Sequence, residues 1–125
     1  MFKIVIIDDD PDIVEATTML FESKGYITAS AGNVEDALAL VPKEKPDVII
    51  LDVMMEEPDD GFYLANKFRK IGINTPIIML TSVSKAFGFD FGNKDNLQIQ
   101  EFLEKPVPPA VLLENVQKYL PKEEH

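Results

Sequence analysis

Four short segments of this 125-residue chain end on residues that could do chemistry together. Ile4-Val5-Ile6-Ile7 leads into Asp8-Asp9-Asp10-Pro11-Asp12, and Val48-Ile49-Ile50-Leu51 leads into Asp52. Ile77-Ile78-Met79-Leu80 leads into Thr81-Ser82, and Glu101-Phe102-Leu103-Glu104 into Lys105-Pro106. A turn or helix cap needs one acid, and Asp10 or Asp12 suits that role. Three consecutive carboxylates exceed it. Brought to one edge, Asp8, Asp9 and Asp52 would repel one another and hold their protons more tightly unless they shared a cation. An incomplete cage of carboxylates, completed by waters and a phosphate oxygen at about 2.1 Å, suits Mg²⁺, with Mn²⁺ as a substitute; Ca²⁺ takes more ligands. The Thr81 hydroxyl and the Lys105 ammonium would add donors for phosphoryl oxygens. A nucleophilic carboxylate, a hard-metal site and two such donors make a phosphoryl-transfer site.

Positioning these residues together requires a particular order of elements. The runs from Ile4, Val48 and Ile77 are apolar on both parities, as expected of parallel strands covered on both faces. Tyr26 to Ser30 and Glu101 to Glu104 are weaker and predict strands nearer an edge. Between them lie stretches of helical period. Asp12 to Lys24 places Ile13, Ala16, Thr17, Leu20 and Phe21 on one stripe and stops at Gly25. Asn33 is an N-cap for a helix carrying Ala37, Leu38 and Val41 and ending near Pro42. A third helix begins near Asp60-Gly61, buries Phe62, Leu64, Ala65, Phe68 and Ile71, and closes at Gly72. The last starts near Pro108-Pro109 and presents Leu112, Leu113, Val116 and Leu120. Residues 84–100 break the alternation: Gly88, Gly92 and Asn93 fall where a crossover helix belongs, and Phe87, Phe89 and Phe91 recur with period two. A short or irregular helix is expected there. Five strands joined by crossovers predict an α/β fold, a three-layer sandwich whose ligand site lies at the carboxyl ends of the strands.

Composition narrows the function further. Twelve basic against 22 acidic residues give a net charge of −10, and the basic residues are scattered, which argues against nucleic acid and anionic membranes as partners. The chain has no cysteine, so neither a disulfide framework nor a thiolate metal site is available. No apolar run approaches the roughly 20 residues that span a bilayer, and no signal-peptide core follows the first residues. A cytoplasmic protein of one domain, residues 1–125, is expected.

The pattern resembles the receiver domain of two-component response regulators, over essentially the whole chain, and in particular the stand-alone, chemotaxis-regulator-like type without an output domain. The likeness rests on the Asp8-Asp9 pair after the first strand, Asp52 after the third, Thr81 after the fourth and Lys105-Pro106 after the fifth, in order and at similar spacing. It implies a doubly wound parallel sheet of order 2-1-3-4-5. It also implies that Asp52 accepts a phosphoryl group from a sensor histidine kinase or a histidine phosphotransfer protein. By the same resemblance Asp9, Asp52 and the Met54 carbonyl bind Mg²⁺, Asp8 holds a metal-bound water, and Lys105 contacts the phosphoryl group. Thr81 and Phe102 correspond to the switch pair that couples phosphorylation to a surface around residues 84–105, read by a downstream protein that the sequence does not name. A monomer or a phosphorylation-dependent dimer fits equally. The resemblance further implies a cis Lys105-Pro106 peptide.

Two segments depart from the family. The phosphoacceptor is usually followed by D-x-x-M-P-x-x-D-G, but here Asp52-Val53-Met54-Met55-Glu56-Glu57-Pro58-Asp59-Asp60-Gly61 is one residue longer, with Glu56 in place of the usual Pro. Eight of the 22 acids lie in windows 8–12 and 56–60, which are expected to meet at one edge. The usual alanine-rich fourth helix is missing. Two other functions compete: a phosphorylation-independent interaction module of the same fold, and a small haloacid-dehalogenase-like phosphohydrolase with Asp8 as nucleophile and Asp10 as acid/base. A module of the first kind would be expected to lose Asp52, Asp9 or Lys105, and all three are present. The hydrolase would need a cap and a further acidic pair. A flavodoxin-like electron carrier would need a hydroxyl-rich phosphate loop where four acids stand.

Overall fold

A computed structural model describes residues 2–82 and 98–121 of the chain. Its strands are β1 (Lys3–Ile7), β2 (Ile27–Ala31), β3 (Val48–Asp52), β4 (Ile77–Thr81) and β5 (Ile99–Glu104). The described helices are α1 (Pro11–Glu22), α2 (Val34–Glu44), α3 (Asp60–Lys70) and α4 (Pro109–Tyr119). All strand pairs are parallel, in the order β2-β1-β3-β4-β5. β3 and β4 are buried along their whole length, while β2 and β5 are partly exposed, which is why the first two read as unbroken apolar runs and the edges do not.

Side chains of alternate parity feed two cores. Val5, Ile7, Ile49, Leu51, Ile77 and Met79 pack on one face with Ala37 and Val41 of α2 and Leu64, Ala65 and Phe68 of α3. Ile4, Ile6, Val48, Ile50, Ile78 and Leu80 pack on the other with Phe21 of α1 and Leu112 and Val116 of α4. The result is the three-layer sandwich that the strand and helix periods predict. Strand order reverses between β1 and β3, so their carboxyl ends open a crevice lined by Asp8 and Asp52.

Local signals hold at most element ends. Asp10 caps α1 by accepting from the Asp12 N–H, and Asn33 caps α2 through the Asp36 N–H. Gly25 and Gly72 lie at φ +89° and +93°, the left-handed turns that only glycine adopts at no steric cost. Three expectations need correction. Helix α2 runs through Pro42 to Glu44, because a proline in the last turn removes one internal bond while Lys45, at φ 50°, still closes the helix onto the Val41 carbonyl. Ile71 is 58% exposed: Gly72 reverses the chain, the Ile73 N–H bonds the Phe68 carbonyl, and Ile73 packs on the core instead. Ala16 is exposed, on the rim of an apolar groove between α1 and α4 that is also lined by Ile13, Leu20, Pro106 and Val107. The expected short helix at 84–100 and the Phe87, Phe89, Phe91 cluster lie outside the described residues.

At the opposite end of the sheet from the crevice, Arg69 ties three segments together. Its guanidinium donates to the carbonyls of Ile73, Thr75 and Gln98, each at 2.8 Å, joining the α3–β4 connection to the residue before β5. Hydrogen bonds from a charged donor contribute more than neutral ones, so Arg69→Met is expected to lower the unfolding free energy by about 2–4 kcal/mol in urea titrations. A loss under about 0.5 kcal/mol, the range of an ordinary surface change, would contradict this.

Candidate functional site: an acidic crevice with one lysine

The β1 ladder ends when the Asp8 N–H bonds the Ala31 carbonyl, and the chain then turns into α1. Asp8 Oδ1 accepts from the Asp10 N–H at 2.9 Å, and Asp10 Oδ1 accepts from the Asp12 N–H at 2.9 Å. The first acid is thereby aimed into the crevice and the third is committed to the helix cap. On β3, Asp52 pairs with Leu80 of β4 and is only 4% exposed; Asp8 is 2% exposed. Asp9 is exposed and faces solvent. One carboxylate oxygen from each of Asp8, Asp9 and Asp52 lies within 4.8 Å of the others. Ligand oxygens on opposite sides of an ion bound at about 2.1 Å stand about 4.2 Å apart, so this all-oxygen set can close on one hard divalent cation.

Lys105 enters from β5. Its N–H continues the ladder onto the Thr81 carbonyl at 2.7 Å, and the peptide that follows it, to Pro106, is cis. Its ammonium lies 2.8 Å from Asp8 Oδ2 and 3.3 Å from Asp52 Oδ1. Burial pulls this ammonium's pKa down, but the hydrogen bond to Asp8 and the charges of Asp8 and Asp52 outweigh it and hold the group above its ordinary value. Asp52 goes the other way. Burial and the neighbouring Asp8 charge push its carboxyl up to about 6, and Lys105 only partly offsets them. A buried carboxylate of raised basicity next to an ammonium is the environment of a reactive group. Thr81 ends β4, the strand that pairs with β3, and is buried, while the Met54 N–H is 3.4 Å from Asp52 Oδ1. Phe102 packs against Phe62 of α3, ring centroids 6.1 Å apart, on the α2–α3 face of the sheet.

The crevice has a floor that the residue types alone do not reveal. Gly61, the second residue of α3, donates its N–H to the Val53 carbonyl at 2.7 Å, and a Cβ there would sit 2.5 Å from the Asp52 carbonyl oxygen and 2.7 Å from the Val53 Cα. Helix α3 therefore rests directly on the backbone that carries Asp52. Asp60, also buried, accepts from the Glu57 N–H at 2.9 Å and closes the loop between them. Among the described residues, Glu56, Glu57, Asp59 and Asp60 are not part of the Asp8-Asp9-Asp52 cluster. Glu56, Glu57, Asp59 and Asp60 turn toward Glu35 and Asp36 of α2, around a separate cavity of about 630 Å³.

A family model for the response regulator receiver domain matches residues 4–117. The chain belongs to the response regulator receiver domain family. Among curated relatives, the receiver is 32% identical to the alkaline phosphatase synthesis transcriptional regulatory protein PhoP of Bacillus subtilis, covering 98% of this chain but 50% of PhoP. It is 29% identical to PilH of Pseudomonas aeruginosa, covering 96% of this chain and 98% of PilH. Among solved structures it is similar to the response regulator TrrA of Thermotoga maritima, in complex with Mg²⁺-BeF, with a TM-score of 0.80 and 29% identity over 96% of this chain and 100% of that one. The chain thus spans half the length of one such relative and nearly all of another. Among the described residues, no helix is long and apolar enough to cross a membrane.

Two predictions follow from the electrostatics and packing of this receiver. A carboxyl whose folded pKa lies above its unfolded value of 3.8 favours the folded state only while protonated, so its stabilisation is lost as pH rises through about 6. Asp52→Asn is therefore expected to be more stable than the native chain by about 1–3 kcal/mol at neutral pH without divalent cations. The gain should shrink as pH falls through 6. Urea titrations across this range check it; a pH-independent difference would contradict it. Gly61→Ala should cost about 2–4 kcal/mol in the same assay, as overpacking against backbone does, and a neutral result would mean that α3 does not rest on β3 as described.

Proposed function

We propose that this receiver accepts a phosphoryl group on Asp52 from a sensor histidine kinase or a histidine phosphotransfer protein and passes the change to a downstream protein in a cytoplasmic two-component pathway. The observation that carries this reading is the buried, proton-avid Asp52 carboxylate held 3.3 Å from the Lys105 ammonium at the edge of a three-carboxylate cluster. A carboxylate oxygen of Asp52 attacks phosphorus, its new O–P bond forming as the donor's P–N bond breaks and the electron pair leaves with the imidazole. Lys105, swinging from Asp8 to the incoming phosphoryl oxygens, neutralises charge where it develops. Asp9, Asp52 and the Met54 carbonyl would hold Mg²⁺, with Asp8 acting through a bound water. The ion would neutralise phosphoryl oxygens and orient the group for in-line attack. TrrA, bound to Mg²⁺-BeF, supports that assignment by family likeness.

Thr81 ends the strand next to that of Asp52 and would donate its hydroxyl to a phosphoryl oxygen. A dianion on Asp52 favours whichever arrangement offers it more donors, so Thr81 and Lys105 bias the two-state surface to which β4 and β5 belong. Phe102, lacking the hydroxyl of Tyr, transmits that bias through packing with Phe62. The net charge of −10 favours a protein as the reader over nucleic acid. The hydrolase reading needs Asp10 as a mobile acid/base, but its carboxylate is bonded to the Asp12 N–H as the cap of α1.

Intact mass after incubation with acetyl phosphate tests the reading. One labile phosphoryl adduct is expected, dependent on Mg²⁺ and absent from Asp52→Asn. Lys105→Met should slow its formation by about a hundredfold or more, the scale of losing one preorganised charge donor. No adduct on the folded native chain would favour the interaction module. An adduct that survives Asp52→Asn and disappears in Asp8→Asn would favour the hydrolase.

A further inference from the structure

The reach of Lys105 into the crevice depends on an irregularity in β5. Pairing with β4 starts at Ile77 opposite Ile99, but Ile78 then faces Glu101, so Gln100 is one residue too many. A one-residue excess moves every later side chain to the other face of the strand. Ile99 lies on the α2–α3 core; beyond the bulge Phe102 returns to that core, opposite Met79, and Leu103 packs on the α1–α4 core opposite Leu80. Lys105 shares the parity of Leu103. In an unbulged strand it would be displaced by about 3.3 Å along β5 and turned to the other side. The ammonium could not then stand 2.8 Å from Asp8 and 3.3 Å from Asp52.

The surplus residue also holds its own irregularity. Gln100 Oε1 accepts from the Ile77 N–H at 2.7 Å, so a side-chain amide takes the place of a strand carbonyl where the ladder is interrupted. The Gln100 carbonyl accepts from the Tyr119 hydroxyl at 3.2 Å, and the carbonyl two residues earlier, of Gln98, accepts from Arg69 at 2.8 Å. Gln98 itself takes a left-handed φ of 55°, rare for a residue that is not glycine. An unpaired Ile77 N–H in a buried strand would be costly, so the bulge and the glutamine side chain depend on one another.

We infer that Gln100 is a positioning residue for the phosphoacceptor site, its side chain fixing the β5 bulge that brings Lys105 to Asp8 and Asp52. The inference rests on the proposed phosphoacceptor role for its kinetic readout only. Gln100→Leu keeps the bulk and removes the acceptor. It is expected to slow phosphoryl uptake from acetyl phosphate by about tenfold to a hundredfold, the cost of misplacing a catalytic group by an ångström or so. Gln100→Glu, which retains an acceptor oxygen, should stay within about twofold of the native rate. In a Lys105→Met background, Gln100→Leu should change the rate by less than about twofold, because the group it positions is gone. A purely structural role would give the same loss in both backgrounds, and that result overturns the inference, as does an unchanged rate in Gln100→Leu alone.

Should Gln100→Leu fail to fold, Tyr119→Phe removes the second bond to the bulge and goes through the same cycle with the same criterion. Nitrogen-detected NMR of the Lys105 ammonium separates this inference from the phosphoacceptor reading. Its carboxylate-bonded signal should vanish in Gln100→Leu and persist in Gln100→Glu, whether or not the native chain takes a phosphoryl group; a signal that persists in Gln100→Leu overturns the inference. Native protein that takes no phosphoryl group, with the signal behaving as expected, refutes the reading and leaves the inference standing.

Discussion

Among the described residues, the carboxylates of Asp8, Asp9 and Asp52 and the Lys105 ammonium meet at one edge of the sheet, and most of the structure can be understood as the framework that keeps them there. Left alone, Asp52 would move away from Asp8 or take up a proton, since it is almost wholly buried and the neighbouring Asp8 charge raises the cost of its own. Lys105 makes the arrangement tolerable by bridging both. The balance is incomplete, which is what gives the crevice its chemistry: negative charge remains, open to solvent through Asp9, for a cation to neutralise.

Holding this cluster requires several elements to agree. Asp8 is aimed by the turn that Asp10 caps, Asp52 by a strand pinned between β1 and β4, and the backbone of Asp52 by a helix that approaches closely only because residue 61 has no side chain. Lys105 arrives through a strand whose register is shifted by one residue. The same two strands carry Thr81 and Phe102, so any rearrangement of donors around Asp52 strains β4 and β5 first. That gives the proposed switch a physical route from chemistry to surface that needs only packing, through Phe102 on Phe62, and no long-range wire.

Much of this was legible in the amino-acid sequence, for a physical reason. Strands buried on both faces must be apolar at both parities, so β1, β3 and β4 stand out, and the polar residues that end them stand out by contrast. Strand order and the Asp8-Asp9-Asp52 cluster follow from this pattern together with the family likeness. What the pattern could not show were features decided by single backbone contacts. Ile71 and Ile73 are equally apolar, and only the direction of the turn at Gly72 decides which is buried. Gly61 looks like an ordinary helix start until the distance to the Asp52 carbonyl is known. Gln100 carries no local signal at all, because a bulge is a relation between two strands, and the cavity that Glu56, Glu57, Asp59 and Asp60 share with α2 is likewise a relation between two separate segments.

The charge balance is most directly tested by calorimetric titration of Mg²⁺ into the native chain and Lys105→Met. If the ammonium and the divalent cation compete for the same carboxylates, removing the ammonium should tighten Mg²⁺ binding even as it impairs phosphoryl uptake. Weaker or unchanged Mg²⁺ binding in Lys105→Met would mean that the two cations do not share Asp8 and Asp52, and the account of the site would fail at its centre.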